Sequence, residues 1–156
     1  LAHAQADCGD EKGAERSAFK SLRLNPIQPE LSMLLGRLQR KTGQLDQAVH
    51  LLSESIRIDP ANVEYYLELG QAYLERREDV MALRTFQQAT RIAPKDPRAY
   101  CQAALLMRDS KDYQGAESML QQAAKLAPED VQIRRQLVGV MTLNLIHKTQ
   151  EAGSAL

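Results

Sequence analysis

The stretch YYLELGQAYLERREDVMALRTFQQATRIAP, residues 65–94, carries two successive stripes of apolar and small residues. The first stripe is spaced by three, one and three residues and consists of Tyr66, Leu69, Gly70 and Tyr73. The second is spaced by four and three residues and consists of Ala82, Phe86 and Ala89. Either spacing places its residues on one side of an α-helix. The stretch therefore predicts two amphipathic helices, and Pro94 ends the second because proline cannot continue the hydrogen-bond ladder.

The same pattern recurs along the chain with a period of 34 residues. Four of the six prolines keep this period: Pro26, Pro60, Pro94 and Pro128. The second stripe recurs as Ala14, Ala18 and Ser21, as Ala48, Leu52 and Ser55, and as Ala116, Leu120 and Ala123. The first stripe recurs as Ser32, Leu35, Gly36 and Gln39, and as Tyr100, Ala103, Ala104 and Met107. A fixed period of this length indicates stacked helical hairpins, with small residues where a neighbouring backbone comes close.

The residues at the joints between helices agree with this interpretation. Asn62, Asp96 and Asp130 occupy the same position of the 34-residue repeat, directly before its first helix. A short polar side chain there can cap free backbone N–H groups. Pro29 and Pro97 fall at the first helical position, which tolerates a missing donor. Gly9 and Gly43 share the column between the two helices of a unit and suit a tight turn.

This pattern resembles the tetratricopeptide repeat (TPR), a helix–turn–helix unit of 34 residues. The resemblance is carried by Tyr66, Leu69, Gly70, Tyr73, Ala82, Phe86, Ala89 and Pro94. It implies an all-α fold, a TPR superhelical solenoid of antiparallel helix pairs, with residues 1–156 as a single domain. The divisions we expect are an incomplete repeat at 1–28, full repeats at 29–62, 63–96 and 97–130, and an atypical segment at 131–156.

The segment 131–156 keeps the pattern only at its start. Leu137 and Met141 lie two periods after Leu69 and Tyr73. The stripe of the second helix is not repeated, however, and no proline follows. We expect a C-terminal capping helix, one long helix through about Gln150, or the start of a degenerate repeat. Apolar residues surround this helix almost completely: Val138, Val140, Met141, Leu143, Leu145 and Ile146. They either cover the last hairpin, pack on another molecule, or form a homodimer through 137–146.

Composition argues against several classes of function. The chain has twenty basic and twenty acidic residues, and aromatic residues make up 4% of it. It therefore lacks both the excess positive charge and the aromatic side chains with which proteins bind nucleic acid. No apolar run approaches the ~20 residues of a membrane helix, so we expect no membrane insertion. His3, His50 and His147 are far apart, and no metal-ligand, nucleophile-elbow or phosphate-loop motif occurs. We expect a non-enzymatic chain without cofactor or metal.

Cysteine usage and the first residues bear on the compartment. Cys8 and Cys101 lie far apart without CxxC spacing, which favours two reduced thiols and a cytoplasmic protein. The start lacks both an initiator Met and a secretory apolar stretch. We expect a processed chain or a piece of a longer one, and we keep the alternative that a signal peptide has been cleaved from it.

The resemblance implies that the first-helix side chains left out of the stripes line a concave groove, where peptides or helices of partner proteins dock. The residues we predict for this partner-binding groove are Met33, Arg37, Arg40, Lys41, Glu64, Leu67, Gln71, Leu74, Arg98, Cys101, Leu105, Arg108 and Arg135. They form an apolar strip flanked by basic groups, with Glu64, Glu68 and Glu75 between them. A segment with apolar anchors and acidic ends would match this surface.

A more specific subtype does not fit. Some TPR cochaperones hold a C-terminal carboxylate with Lys, Asn, Asn, Lys and Arg, and in this chain those positions are Met33, Arg37, Glu68, Arg98 and Gln102. Glu68 would repel a carboxylate, so we expect no such clamp. The alternatives to a peptide-binding adaptor are a self-associating structural module, joined through the apolar C-terminal helix, and a regulatory part of a larger protein or enzyme.

Overall fold

The computed structural model describes residues 11–25 and 28–154, and these residues form eight α-helices without a strand. The helices are α1 (Glu11–Leu24), α2 (Pro29–Lys41), α3 (Leu45–Ile58), α4 (Val63–Glu75), α5 (Asp79–Ile92), α6 (Pro97–Asp109), α7 (Tyr113–Leu126) and α8 (Val131–Ser154). The all-α prediction is confirmed. Pro26, Gly9, Cys8 and His3, named above, lie outside the described residues.

The helices belong to two compact units, Leu1–Thr85 and Phe86–Leu156, and the division falls within α5. In unit 1, α2 packs against α1 and α3, α3 packs against α4, and α2 also touches α4. In unit 2, α7 packs against both α6 and α8. The boundaries of the repeats, and a single domain spanning 1–156, stay predictions.

The predicted stripes form most of the core, and only Ser21, Tyr73 and Tyr100 among their described residues are half-buried. Leu35, Leu52 and Leu120 are fully buried, as are Ala14, Ala18, Ala48, Ala82, Ala89, Ala103, Ala104, Ala116 and Ala123. In unit 1 one cluster joins α1 to α2 through Ala14, Ala18, Leu31, Leu34, Leu35 and Leu38. A second cluster joins Leu52 of α3 to Leu69 and Ala72 of α4. α1 and α2, and likewise α3 and α4, therefore share their apolar sides, and small residues at the contacts let the backbones approach closely.

The predicted helix caps are confirmed. Asn62 accepts a hydrogen bond from the Glu64 backbone N–H at 3.1 Å, and Asp96 accepts one from Arg98 at 2.9 Å. Asp130 accepts from Gln132 at 2.8 Å and from Ile133 at 3.2 Å. Pro29 and Pro97 begin their helices, as predicted. These bonds satisfy backbone donors that the first turn of a helix leaves without a partner.

The periodic prolines also take part in a hydrogen bond that the sequence did not predict. The Tyr66 hydroxyl donates to the Pro60 carbonyl at 3.1 Å, and the Tyr100 hydroxyl donates to the Pro94 carbonyl at 3.2 Å. Donor and acceptor keep the 34-residue period in both cases. Each bond ties the joint after a second helix to the first helix that follows it.

The turn position of Gly43 recurs in the next two repeats, and the backbone is left-handed at both counterparts. Gly43 has φ 78°, and its counterparts one and two periods later, Arg77 and Lys111, have φ 64° and 66°. Only glycine enters this region without steric cost. The sequence showed the turn at Gly43 but gave no signal for Arg77 and Lys111, because the repeat geometry imposes the conformation on residues that disfavour it.

Replacing Lys111 with glycine is expected to raise the free energy of unfolding by about 0.5–1 kcal/mol, because the backbone is already in the region that glycine prefers. Urea denaturation followed by the helical circular dichroism signal measures this. The matched reverse change, Gly43→Ala, is expected to lower stability by about 1 kcal/mol. A destabilised Lys111→Gly variant would contradict the assigned turn.

The C-terminal segment is one uninterrupted helix. α8 runs over 24 residues from Val131 to Ser154, which confirms a single long helix and extends it past Gln150. Ile133 and Val140 are buried, whereas six apolar side chains are 38–65% exposed: Val131, Val138, Met141, Leu143, Leu145 and Ile146. The expectation that the apolar residues of this helix cover the last hairpin therefore holds for only part of them. None of the eight described helices has the length and hydropathy needed to cross a membrane.

Candidate partner-binding face

The two first helices of unit 1 present a common surface outside the core. On α2 the predicted binding residues are Met33, Arg37, Arg40 and Lys41, and on α4 they are Glu64, Leu67, Gln71 and Leu74. The core stripes of the same helices, which include Leu35 and Leu69, point into the buried clusters. Since α2 and α4 are in contact, their remaining side chains lie on neighbouring helices. We call this surface the α2–α4 face.

An ion-pair network crosses the α2–α4 face. Arg37 Nε lies 3.3 Å from Glu68 Oε1, and Arg40 Nη2 lies 3.2 Å from Glu68 Oε2. A second guanidinium nitrogen of Arg40 pairs with Glu75. The side chains of Arg40 and Glu68 are only 19% and 20% exposed, so water screens this pair less than a fully exposed one. The arginines predicted to attract an acidic segment are thus engaged with carboxylates of the same chain.

The apolar residues of this face are half-buried. Leu67 and Leu74 keep part of their surface in solvent, whereas Met33 packs against the cluster formed by Leu52, Leu69 and Ala72. The sequence predicts all three as exposed anchors, whereas each is partly buried in the structure. A ligand would therefore meet a shallow apolar strip beside a charged network.

The predicted residues of unit 2 lie on α6 and α8. Arg98 pairs with its own capping residue Asp96 at 2.6 Å, and Arg108 pairs with Asp109 at 2.7 Å. The Arg98 guanidinium, which hydrogen-bonds the Asp96 carboxylate, lowers the pKa of that carboxyl. Both arginines are thus partly neutralised locally, as Arg37 and Arg40 are in unit 1.

Cys101, Leu105 and Arg135 complete the set in unit 2. Cys101 and Leu105 are half-buried on α6, and Arg135 is exposed on α8. Burial raises the pKa of the Cys101 thiol, and the negative charges of Asp130 and Asp96 add to this rise. Cys101 is therefore a neutral thiol near pH 7 and contributes to this surface as a small apolar group.

Potential metal-ligand side chains are dispersed over the described residues. Residues 11–25 and 28–154 contain no group of three or more His, Cys, Asp or Glu side chains placed to hold a metal ion. His50 is exposed on α3. His147 makes an edge-on ring contact with Tyr113, with ring centroids 5.4 Å apart, and thereby helps α8 to pack on α7.

One surface feature was missed by sequence reasoning. A groove of about 480 Å³ runs along α8 and is lined by Glu117, Val138, Met141, Thr142, Asn144, Leu145 and Lys148. Asn144 is buried and its amide donates to Glu117 Oε2 at 2.7 Å, which fixes α8 on α7. The excess of apolar residues in 131–156 indicated an exposed apolar surface, but only the structure shows which side of α8 this surface occupies.

Comparison with protein families finds two matches. A model described as TPR repeat matches residues 36–76, and one described as tetratricopeptide repeat matches residues 97–130. No curated protein sequence matches the chain.

Solved structures share the fold at low identity. A MamA structure from Desulfovibrio magneticus is 21% identical over 95% of this chain and 84% of its own, with a TM-score of 0.82. A tetratricopeptide repeat protein from Parabacteroides merdae is 21% identical over 94% of this chain and 59% of its own, with a TM-score of 0.84. The first TPR of Spaghetti, solved with the HSP90 peptide SRMEEVD, is 16% identical over 73% of this chain and 90% of its own, with a TM-score of 0.67.

Proposed function

Because the chain belongs to the tetratricopeptide-repeat family, we propose that it is a non-catalytic scaffold that binds a peptide or helix of another protein. The observation that carries this proposal is the α2–α4 face, where side chains left out of a complete core form a surface across two neighbouring helices. Stacked helical repeats use such surfaces for extended contacts with partners. The Spaghetti structure is one relative of this fold with a peptide bound.

The chemistry of the face favours apolar anchors over charge. Leu67 and Leu74 offer half-buried apolar surface, and Gln71 between them offers an amide that can donate and accept. Arg37 and Arg40 are paired with Glu68 and Glu75, so an acidic ligand would have to displace a carboxylate of the chain. The partner segment we propose therefore carries apolar side chains at helical or extended spacing and no dense acidic cluster.

The terminal-carboxylate clamp stays outside this proposal. Glu68, which occupies one of the clamp positions, is held by two arginines on the α2–α4 face. A ligand carboxylate placed there would face an existing carboxylate, and like charges at this range repel. The HSP90 peptide bound by the Spaghetti domain is therefore not the ligand that we propose for this chain.

A selected peptide library tests the binding face. Peptides displayed on phage are selected on the wild-type chain, and the enriched sequences are synthesised and titrated against two variants. Leu67→Lys with Gln71→Lys alters the α2–α4 face, and Val80→Lys with Met81→Lys is the control, since Val80 and Met81 are exposed on the second helix α5. We expect the face variant to weaken binding by tenfold or more, about 1.4 kcal/mol, because each lysine places charge against an apolar anchor.

The control separates loss of the face from loss of the fold. Both variants replace two solvent-accessible side chains of unit 1 with lysine, so both should keep the helical circular dichroism signal of the wild type. Peptides that bind the face variant as tightly as the wild type, or that depend equally on Val80 and Met81, would contradict the proposed face.

A further inference from the structure

One side of α8 is packed and an adjacent side is open. Ile133, Val140 and Asn144 are buried towards α7, and the Asn144–Glu117 hydrogen bond at 2.7 Å lies on the same side. The adjacent side exposes a line of apolar residues at spacings of seven, three and four, namely Val131, Val138, Met141 and Leu145. We call this line the open face of α8.

The repeat position of Val138 is covered by a second helix in an earlier repeat. Val138 stands three periods after Gly36, and a Cβ built on Gly36 would lie 3.0 Å from Leu52 Cγ and 3.4 Å from the Ala48 carbonyl oxygen of α3. The column therefore marks where the second helix of a repeat packs on the first. Within the described residues α8 continues straight to Ser154, and Val138 is 63% exposed.

The residue type at this column decides what kind of helix can fit. Gly36, Gly70 and Ala104 allow a close approach of backbones, whereas Val138 holds a neighbouring helix at an ordinary distance of about 8–10 Å. Apolar residues that alternate by three and four along a helix form the seam of a two-helix pair. The open face thus suits a long helix with the same seam and not another copy of the compact second helix of a repeat.

We propose that the open face of α8 is covered by α8 of a second copy of this chain, antiparallel and related by a two-fold axis. A surface that pairs with itself must carry charges of both signs or none. The groove beside the open face meets this condition, since an apolar centre of Val138, Met141 and Leu145 has Glu117 and Lys148 at its margin. The chain carries a formal net charge of +0, so two copies do not repel each other at long range.

Avoidance of contacts between like charges also selects the antiparallel register. With the axis at the level of Leu143, Met141 of one copy packs beside Leu145 of the other, since the two residues are equally far from the axis. Lys148 lies level with Val138 of the second copy, where its aliphatic stem covers apolar surface while the ammonium group stays in water. A parallel pair would instead bring Arg134 and Lys148 against their own counterparts.

The test is the mass of the whole chain in solution, measured by sedimentation equilibrium up to about 100 μM, a range that detects micromolar association. We expect a monomer–dimer equilibrium that ends at twice the 17.5 kDa chain mass. Val138→Lys with Leu145→Lys is expected to weaken dimerisation at least 100-fold, because four ammonium groups would enter an apolar seam. The matched control, Leu143→Lys with Gln150→Lys, has the same spacing on another side of α8 and is expected to keep the dimer.

Orientation is measured on a Cys8→Ser, Cys101→Ser, Gln132→Cys chain carrying a spin label. The antiparallel pair places the two labels roughly 30 Å or more apart, since the helix rises about 1.5 Å per residue, whereas a parallel pair places them within about 20 Å. A monomer at every concentration, a series of species larger than a dimer, equal loss in both lysine variants, or a short label distance would each overturn the proposal.

Discussion

Replacing Leu52 with alanine is expected to lower the free energy of unfolding by about 3 kcal/mol. Leu52 is fully buried, and it packs with Leu69 and Ala72 at the contact between α3 and α4. The change removes apolar contacts and leaves a cavity that two rigid helices cannot close. For a chain whose total stability is about 5–15 kcal/mol, this is a large fraction. Urea denaturation monitored by circular dichroism measures the loss.

The control for this prediction is Leu24→Ala in the same unit. Leu24 ends α1 and is 81% exposed, so its truncation is expected to change stability by less than about 0.5 kcal/mol. If the two substitutions had similar effects, Leu52 would not hold the place in the core that the structure gives it.

Replacing Gly36 with valine is expected to destabilise the chain by about 2 kcal/mol. The first added carbon would lie 3.0 Å from Leu52 Cγ and 3.4 Å from the carbonyl oxygen of Ala48, and the two further methyl groups of valine need space that α3 already occupies. The helices α2 and α3 would have to move apart, which weakens the contacts of Leu35 and Leu52 as well. Thermal and urea denaturation both report this loss.

Gly139→Ala provides the opposite expectation within the same chain. Gly139 lies inside α8, and apart from its chain neighbours and the nearby helical backbone no heavy atom comes within 4 Å of the position of an added Cβ. Alanine there is expected to stabilise by about 0.5–1 kcal/mol because it favours the helical backbone. Gly36 is thus required by packing, whereas Gly139 only lowers the stability of its helix. Stability changes of the same sign for Gly36→Val and Gly139→Ala would contradict this distinction.

Periodicity predicted the fold because the repeat ties each structural role to a column of the sequence. Ala48, Leu52 and Ser55 are buried because they follow the spacing of Ala82, Phe86 and Ala89, and the caps at Asn62, Asp96 and Asp130 follow from their columns in the same way. The left-handed turns at Arg77 and Lys111 were missed because nothing in these residue types favours that conformation.

The candidate site was harder to predict because it depends on side-chain contacts between repeats. A helical wheel places Arg37 and Glu68 on the outer faces of their helices, but it does not show that they meet at 3.3 Å across α2 and α4. Likewise, Tyr65 falls outside the predicted stripes and is fully buried, because α4 is covered on more than one side. Patterns within one helix cannot report such contacts.

The network of Arg37, Arg40, Glu68 and Glu75 has a consequence for the thermodynamics of recognition. A free arginine loses about 2 kcal/mol of rotamer entropy when a ligand immobilises it. Here folding has already restrained Arg40 between two carboxylates, so a docking segment encounters a surface whose most flexible groups are ordered in advance. The paired carboxylates also offset the positive charges of Arg37 and Arg40 at long range. Encounter would then proceed at the slower pace of an unsteered collision, and selectivity would reside in how long a well-shaped segment stays bound.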